Sequence, residues 1–121
     1  MDTRIKTNDY TLTPEAQAHL DERIAAIEKS LNGSAAEARL EVEVGRAQNS
    51  KHGDVWSAEM NLILEGKSLR ADVKAETVNA AIDGAKDEIV RQFRKQRQFH
   101  RRMLRRGGSI IKGLTRFGRD S

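Results

Sequence analysis

The apolar residues of this chain change their period twice, from helical to alternating and back to helical, and that order leaves few architectures open. Ala16, Leu20, Ile24, Ile27 and Leu31 recur at spacings of four, four, three and four, which aligns one apolar stripe along a helix. Thr13-Pro14-Glu15 supplies the start: a hydroxyl for the free amides, a proline suited to the first helical position and an acid that complements the dipole. Asn32-Gly33 supplies the stop. From Leu40 the period becomes two, with Leu40, Val42 and Val44 alternating with Arg39, Glu41, Glu43 and Gly45 as a half-buried strand requires. After a polar loop at Gln48 to Asp54, Trp56, Ala58, Met60, Leu62 and Leu64 alternate. Leu69, Ala71 and Val73 do so again beyond a turn at Glu65-Gly66-Lys67, which predicts an antiparallel hairpin. A short strand around Arg4 to Thr7 rests on Ile5.

From Thr77 the helical period returns in Val78, Ile82, Ala85, Ile89 and Phe93, with no proline to interrupt it. At about 100° per residue, Arg91, Arg94, Lys95, Arg102 and Arg105 fall within about 60° of the direction opposite Ile82. One helix therefore carries both a core stripe and a basic ridge. The expected fold class is α+β, of order β-α-β-β-β-α: a four-stranded antiparallel or mixed sheet with both helices packed on one face. The other face would be polar, with Arg4, Lys6, Arg39, Arg70 and Lys74 interrupted by Glu41, Glu43, Glu59 and Asp72.

Charge is segregated along the chain. The last 31 residues, Arg91 to Ser121, hold eleven of the 22 lysines and arginines against the single acid Asp120, a formal +10. The preceding ninety residues hold the other eleven against 17 acids, a formal −6, a split masked by the overall +4. A long polyanion is the first partner such a run implies. Aromatic residues are only 4% of the chain, which favours contacts to phosphate and shape over stacking of single-stranded bases. The 121 residues fit one domain plus a tail and bury roughly 60 to 70% of the unfolded surface without staples. The absence of cysteine excludes a disulfide scaffold, a thiol nucleophile and thiolate-bound zinc. MDTRIKTNDY lacks the apolar stretch of a signal peptide, and no run approaches the ~20 apolar residues of a membrane span, so the chain reads as soluble and cytoplasmic.

Chemistry-bearing motifs are scarce. His19, His52 and His100 lie far apart without the spacing of a metal site or triad. The 18 carboxylates sit on strand alternations or outer helix faces, and none is singled out as an acid–base pair. Gly107-Gly108 lacks the P-loop pattern and follows no strand. The chain thus reads as no enzyme and implies no cofactor or metal. Gly107-Gly108-Ser109 reads as a linker to a short basic amphipathic piece in which Ile110, Ile111, Leu114 and Phe117 interleave with Lys112, Arg116 and Arg119. That piece is compatible with a solvated tail, an RNA or ribosomal-protein contact, or a membrane surface.

Two further stretches stand out: Leu12-Thr13-Pro14 with Leu20, Arg23-Ile24 and Ile27-Glu28-Lys29, and Ala80-Ala81-Ile82-Asp83 with Ala85, Asp87, Ile89, Arg91-Gln92 and Lys95, preceded by Leu69-Arg70-Ala71. Both resemble the ribosome hibernation-promoting factor and ribosome-associated inhibitor (protein Y) family. With the strand order, the likeness spans about Thr3 to Gln98, so residues 1–98 are expected to form the ribosome-binding domain and residues 99–121 a basic extension. Two positions depart from the family pattern: Glu88 stands where a basic residue is common, and Asn79 where an aromatic is usual.

The resemblance implies a fold similar to double-stranded RNA-binding domains. It also implies a non-enzymatic inhibitor that occupies the messenger channel and transfer-RNA sites of the small ribosomal subunit, preserving idle ribosomes in stress and stationary phase. The implied partners are the small subunit with its ribosomal RNA and the whole ribosome, with no membrane. Long members add a C-terminal dimerisation domain, which the 23 residues after Gln98 cannot hold, so no homodimerisation domain is expected. Arg91, Arg94 and Lys95 are the implied phosphate contacts, supported by Arg23 and Lys29, with Arg97, Arg70 and Lys86 as further candidates; from Phe99 onward the resemblance ends, and Arg101 and Arg102 are expected to continue the contact on charge alone. A general RNA-binding or chaperone module without a fixed ribosomal site remains the alternative, since charge alone does not separate the two.

Overall fold

The period changes translate into the order β1 (Asp2–Asn8), α1 (Pro14–Ser30), a 3₁₀ turn (Ala35–Glu37), β2 (Arg39–Arg46), β3 (Trp56–Leu64), β4 (Lys67–Ala75) and α2 (Val78–Arg105). This is the expected β-α-β-β-β-α sequence. The computed structural model describes residues 1–47 and 55–105. The polar loop read at Gln48 to Asp54, the Gly107-Gly108-Ser109 linker and the piece from Ile110 onward lie outside the described residues, as does the Arg105 side chain.

The sheet has the order β1-β2-β3-β4 and is mixed: β1 runs parallel to β2, while β2–β3 and β3–β4 are antiparallel. The parallel pair needs a crossover, and α1 provides it. Thr13 caps α1, its Oγ1 accepting from the Ala16 amide at 3.1 Å. Asn32 and Gly33 end the turn after it with φ of 46° and 82°, in the left-handed region. The β3–β4 hairpin closes through Glu65 and Gly66, at φ 54° and 76°, with Leu64 paired to Lys67. Two positive φ values fit a tight turn whose twist matches the strands, so Lys67 belongs to β4 rather than to the turn.

Both helices cover one face. Leu40, Val42 and Val44 of β2, Ala58, Met60 and Leu62 of β3 and Ala71 of β4 are buried with Leu20 and Ile27 of α1 and Ala81, Ile82, Ala85, Ile89, Val90 and Phe93 of α2. Thr77 starts α2 by accepting from the Ala80 amide at 3.0 Å. At Gly84 the helix lies so close to β4 that a Cβ there would come within 2.8 Å of Val73 Cγ1. The 28 residues of α2 span about 42 Å, against roughly 30 Å for the nine of β4. The helix therefore outruns the sheet. Among the described residues none beyond Phe93 is buried, and Phe99 and Leu104 stand about half exposed.

Candidate nucleic-acid interface

Alternation along each strand sends one set of charges to the helix-free face of the sheet. Arg4, Glu41, Asn61 and Arg70 form one cross-strand row there, and Lys6, Glu43, Glu59 and Asp72 the next. Arg70 donates to Glu59 at 2.9 Å and Arg39 lies 3.5 Å from Glu41. The five cations on this face, Arg4, Lys6, Arg39, Arg70 and Lys74, meet five carboxylates, Asp2, Glu41, Glu43, Glu59 and Asp72. The open face is thus close to neutral and does not widen the positive surface.

The ridge on α2 is different. Lys86, Asp87, Val90, Arg91, Arg94, Lys95 and Gln98 line a shallow groove along its outer side, as the helical spacing requires. Arg91, Arg94, Lys95, Arg101 and Arg102 are exposed, and Lys86 and Arg97 half-buried. Lys29 is exposed near the end of α1, and Arg23 is half-buried further back on the same helix. Arg70 sits on the opposite side of the sheet from the helices, so the fold does not bring it onto the ridge.

Ion pairing divides the ten candidates. Arg23 Nε donates to Asp83 Oδ1 at 2.7 Å, Arg70 pairs with Glu59, Lys86 Nζ lies 3.2 Å from Asp87, and Arg91 forks onto Glu88. Among the described residues Lys29, Arg94, Lys95, Arg97, Arg101 and Arg102 have no carboxylate partner. The cause lies in the sequence. No acid occurs between Glu88 and Asp120, so no cation after Arg91 has one within a helical turn before it or after it on α2. Unpaired positive charge is concentrated on the projecting half of the helix.

Four residues outside the expected site, His19, Asp83, Glu88 and Gln92, hold this geometry. Asp83 Oδ1 accepts from both Arg23 Nε and His19 Nε2 at 2.7 Å, which ties α1 to α2. Partial burial pushes the Asp83 carboxyl up, but the bonds from Arg23 and His19 more than offset it and leave it below its ordinary value. The Arg23 guanidinium is raised in turn, chiefly by its bond to Asp83. Gln92 Nε2 donates to the Arg70 carbonyl oxygen at 2.9 Å, satisfying an acceptor of the edge strand β4. Bonds from Arg91 and Gln92 hold the Glu88 carboxyl at about 2. The pairing of His19 and Arg23 four apart on α1 was the available signal for Asp83, but no spacing in the sequence names its partner across 60 residues.

Among the described residues no cluster of three or more potential ligands suits a metal ion, and no helix is long and apolar enough to cross a membrane. The family model described as sigma 54 modulation protein / S30EA ribosomal protein matches residues 3–101. No curated protein sequence matches significantly. The fold is similar to the crystal structure of the Thermus thermophilus Protein Y N-terminal domain, with a TM-score of 0.59 at 20% identity, covering 76% of this chain and 94% of that one. It is also similar to a ribosomal subunit interface protein from Coxiella burnetii, with a TM-score of 0.64 at 11% identity, covering 81% of this chain and 99% of that one.

Proposed function

The chain belongs to the sigma 54 modulation protein / S30EA ribosomal protein family, and from that premise we propose that it is a ribosome hibernation factor docking on the small subunit. Residues 1–98 form the binding domain and residues 99–121 extend it, with the backbone of α2 running unbroken across that boundary to Arg105. Arg91, Arg94 and Lys95 face ribosomal RNA phosphates, Arg97, Arg101 and Arg102 continue the contact, and Lys29, Lys86 and Arg23 flank it. Occupancy is the mechanism: a bulky domain in the messenger channel and transfer-RNA sites excludes both ligands and keeps the idle ribosome, in the cytoplasm, from translating.

One observation carries the reading: six of the ten candidate cations have no carboxylate partner among the described residues, five of them on one rigid helix of a ribosomal-protein family domain. A helix fixed by its buried face holds its outer charges in register, which suits the shape of folded RNA more than a sequence of bases.

Competition on purified small subunits tests this. Initiator transfer RNA together with messenger should displace the bound protein. Binding that survives saturating amounts of both would instead mark a general RNA-binding module with no fixed ribosomal site.

A further inference from the structure

Glu88 occupies the planar edge of Arg91. Arg91 Nε donates to Oε1 at 3.0 Å and Nη2 to Oε2 at 2.6 Å, a two-pronged match that a phosphate would otherwise make. The carboxylate is itself held, because Gln92 Nε2 donates to Oε2 at 2.7 Å while also reaching the Arg70 carbonyl oxygen on β4. Glu88 is thus fixed to the sheet edge by a side chain that α2 and β4 share. The pair remains open to exchange, since the Arg91 side chain is 61% exposed and that of Glu88 34%. With its carboxyl at about 2, Glu88 stays ionised across the neutral range.

We propose that Glu88 is a built-in competitor for phosphate at Arg91, so that RNA meets full charge only from Arg94 onward and gains Arg91 by displacing this carboxylate. The inference rests on the ridge being the RNA-binding surface. An Arg91–Glu88 pair is nearly neutral and releases few counterions from RNA, so the two together add little to affinity while the pair stays closed. Glu88 then sets how tightly the ridge binds without taking part in the contact, which suits a factor that must leave when translation resumes.

The test uses the full chain and purified small subunits, with binding measured across a salt series and helicity checked by circular dichroism. Glu88→Gln should bind about three- to tenfold more tightly and steepen the slope of log affinity against log salt by about one. Arg91→Gln alone leaves Glu88 as a bare carboxylate beside RNA and should weaken binding about three- to tenfold, and in the Glu88→Gln background it should remove the gain. Glu88→Gln binding like wild type or more weakly, or a gain that persists without Arg91, overturns the proposal. Arg94→Gln/Lys95→Gln serves as reference. If it weakens binding while Glu88→Gln changes nothing, the Glu88 inference alone fails. If it binds like wild type, or if nothing binds, the RNA-ridge reading fails and takes the inference with it.

Discussion

The two halves of α2 are built to opposite rules. From Val78 to Phe93 the inner face is packed against three strands and α1, and the outer charges are matched: Asp83 by Arg23 and His19, Asp87 by Lys86, Glu88 by Arg91. From Arg94 to Arg102 no side chain is buried and no cation has a carboxylate partner among the described residues. Neighbouring cations such as Arg97 and Arg101 are four apart, a spacing that costs an isolated helix a few tenths of a kcal/mol per pair. A helix that keeps such repulsion in one half, while the other half is fully matched, fits the proposed anionic partner. On that reading the anchored half fixes direction, and the projecting half delivers charge.

That contrast can be broken most forcefully by reversing the projecting charges. Arg94→Glu with Lys95→Glu should reduce ribosome co-sedimentation by about 100-fold or more while leaving the circular dichroism spectrum unchanged, since each substitution replaces a phosphate contact with a repulsion. Undiminished co-sedimentation would remove both residues from the interface. The next effect is on stability and belongs to the anchored half. Gly84→Ala forces Val73 and the helix apart and should cost about 1–3 kcal/mol in urea unfolding, whereas Phe99→Ala, about half exposed in the projecting half, should change stability by under about 0.5 kcal/mol. Equal losses at the two positions would mean that the halves are anchored alike.

Asp83→Asn probes the α1–α2 tie. Asp83 is 43% exposed, so solvent screening limits the loss to about 1 kcal/mol or less. The folded carboxyl lies below 3.8, so its contribution is complete above that pH and is lost as pH falls through the folded value. Thermal melts of the two proteins should therefore differ at neutral pH and converge in strong acid. The smallest effect belongs to the open sheet face: Arg4→Glu with Lys6→Glu should leave ribosome affinity within about twofold, because that face is already near neutral. A large drop would place RNA on the sheet.

Much of this was legible in the residues. The two apolar periods gave the element order, and Thr13-Pro14 and Asn32-Gly33 marked the ends of α1 because caps and left-handed stops are local chemistry. Strand β1 showed weakly because it is an edge strand whose single large apolar residue, Ile5, is itself 37% exposed. The ridge was legible as well, since exposure on a helix follows from angle alone. Which of its cations are free was not, because Asp83 and Glu59 reach their partners only through tertiary and cross-strand contacts. Arg70 illustrates the limit: alternation placed it on the open face, but only the register, which sets it opposite Asn61 and Glu59 opposite Asp72, brings Glu59 diagonally within its reach.

The central claim is that the unpaired cations of the projecting half bind ribosomal RNA phosphates. The slope of log affinity against log salt on purified small subunits, for wild type and for Arg94→Gln/Lys95→Gln, tests it most directly. Each lost phosphate contact should lower the slope by roughly 0.7 to 0.9, so the account predicts a double variant shallower by nearly two. Equal slopes for the two proteins would contradict it.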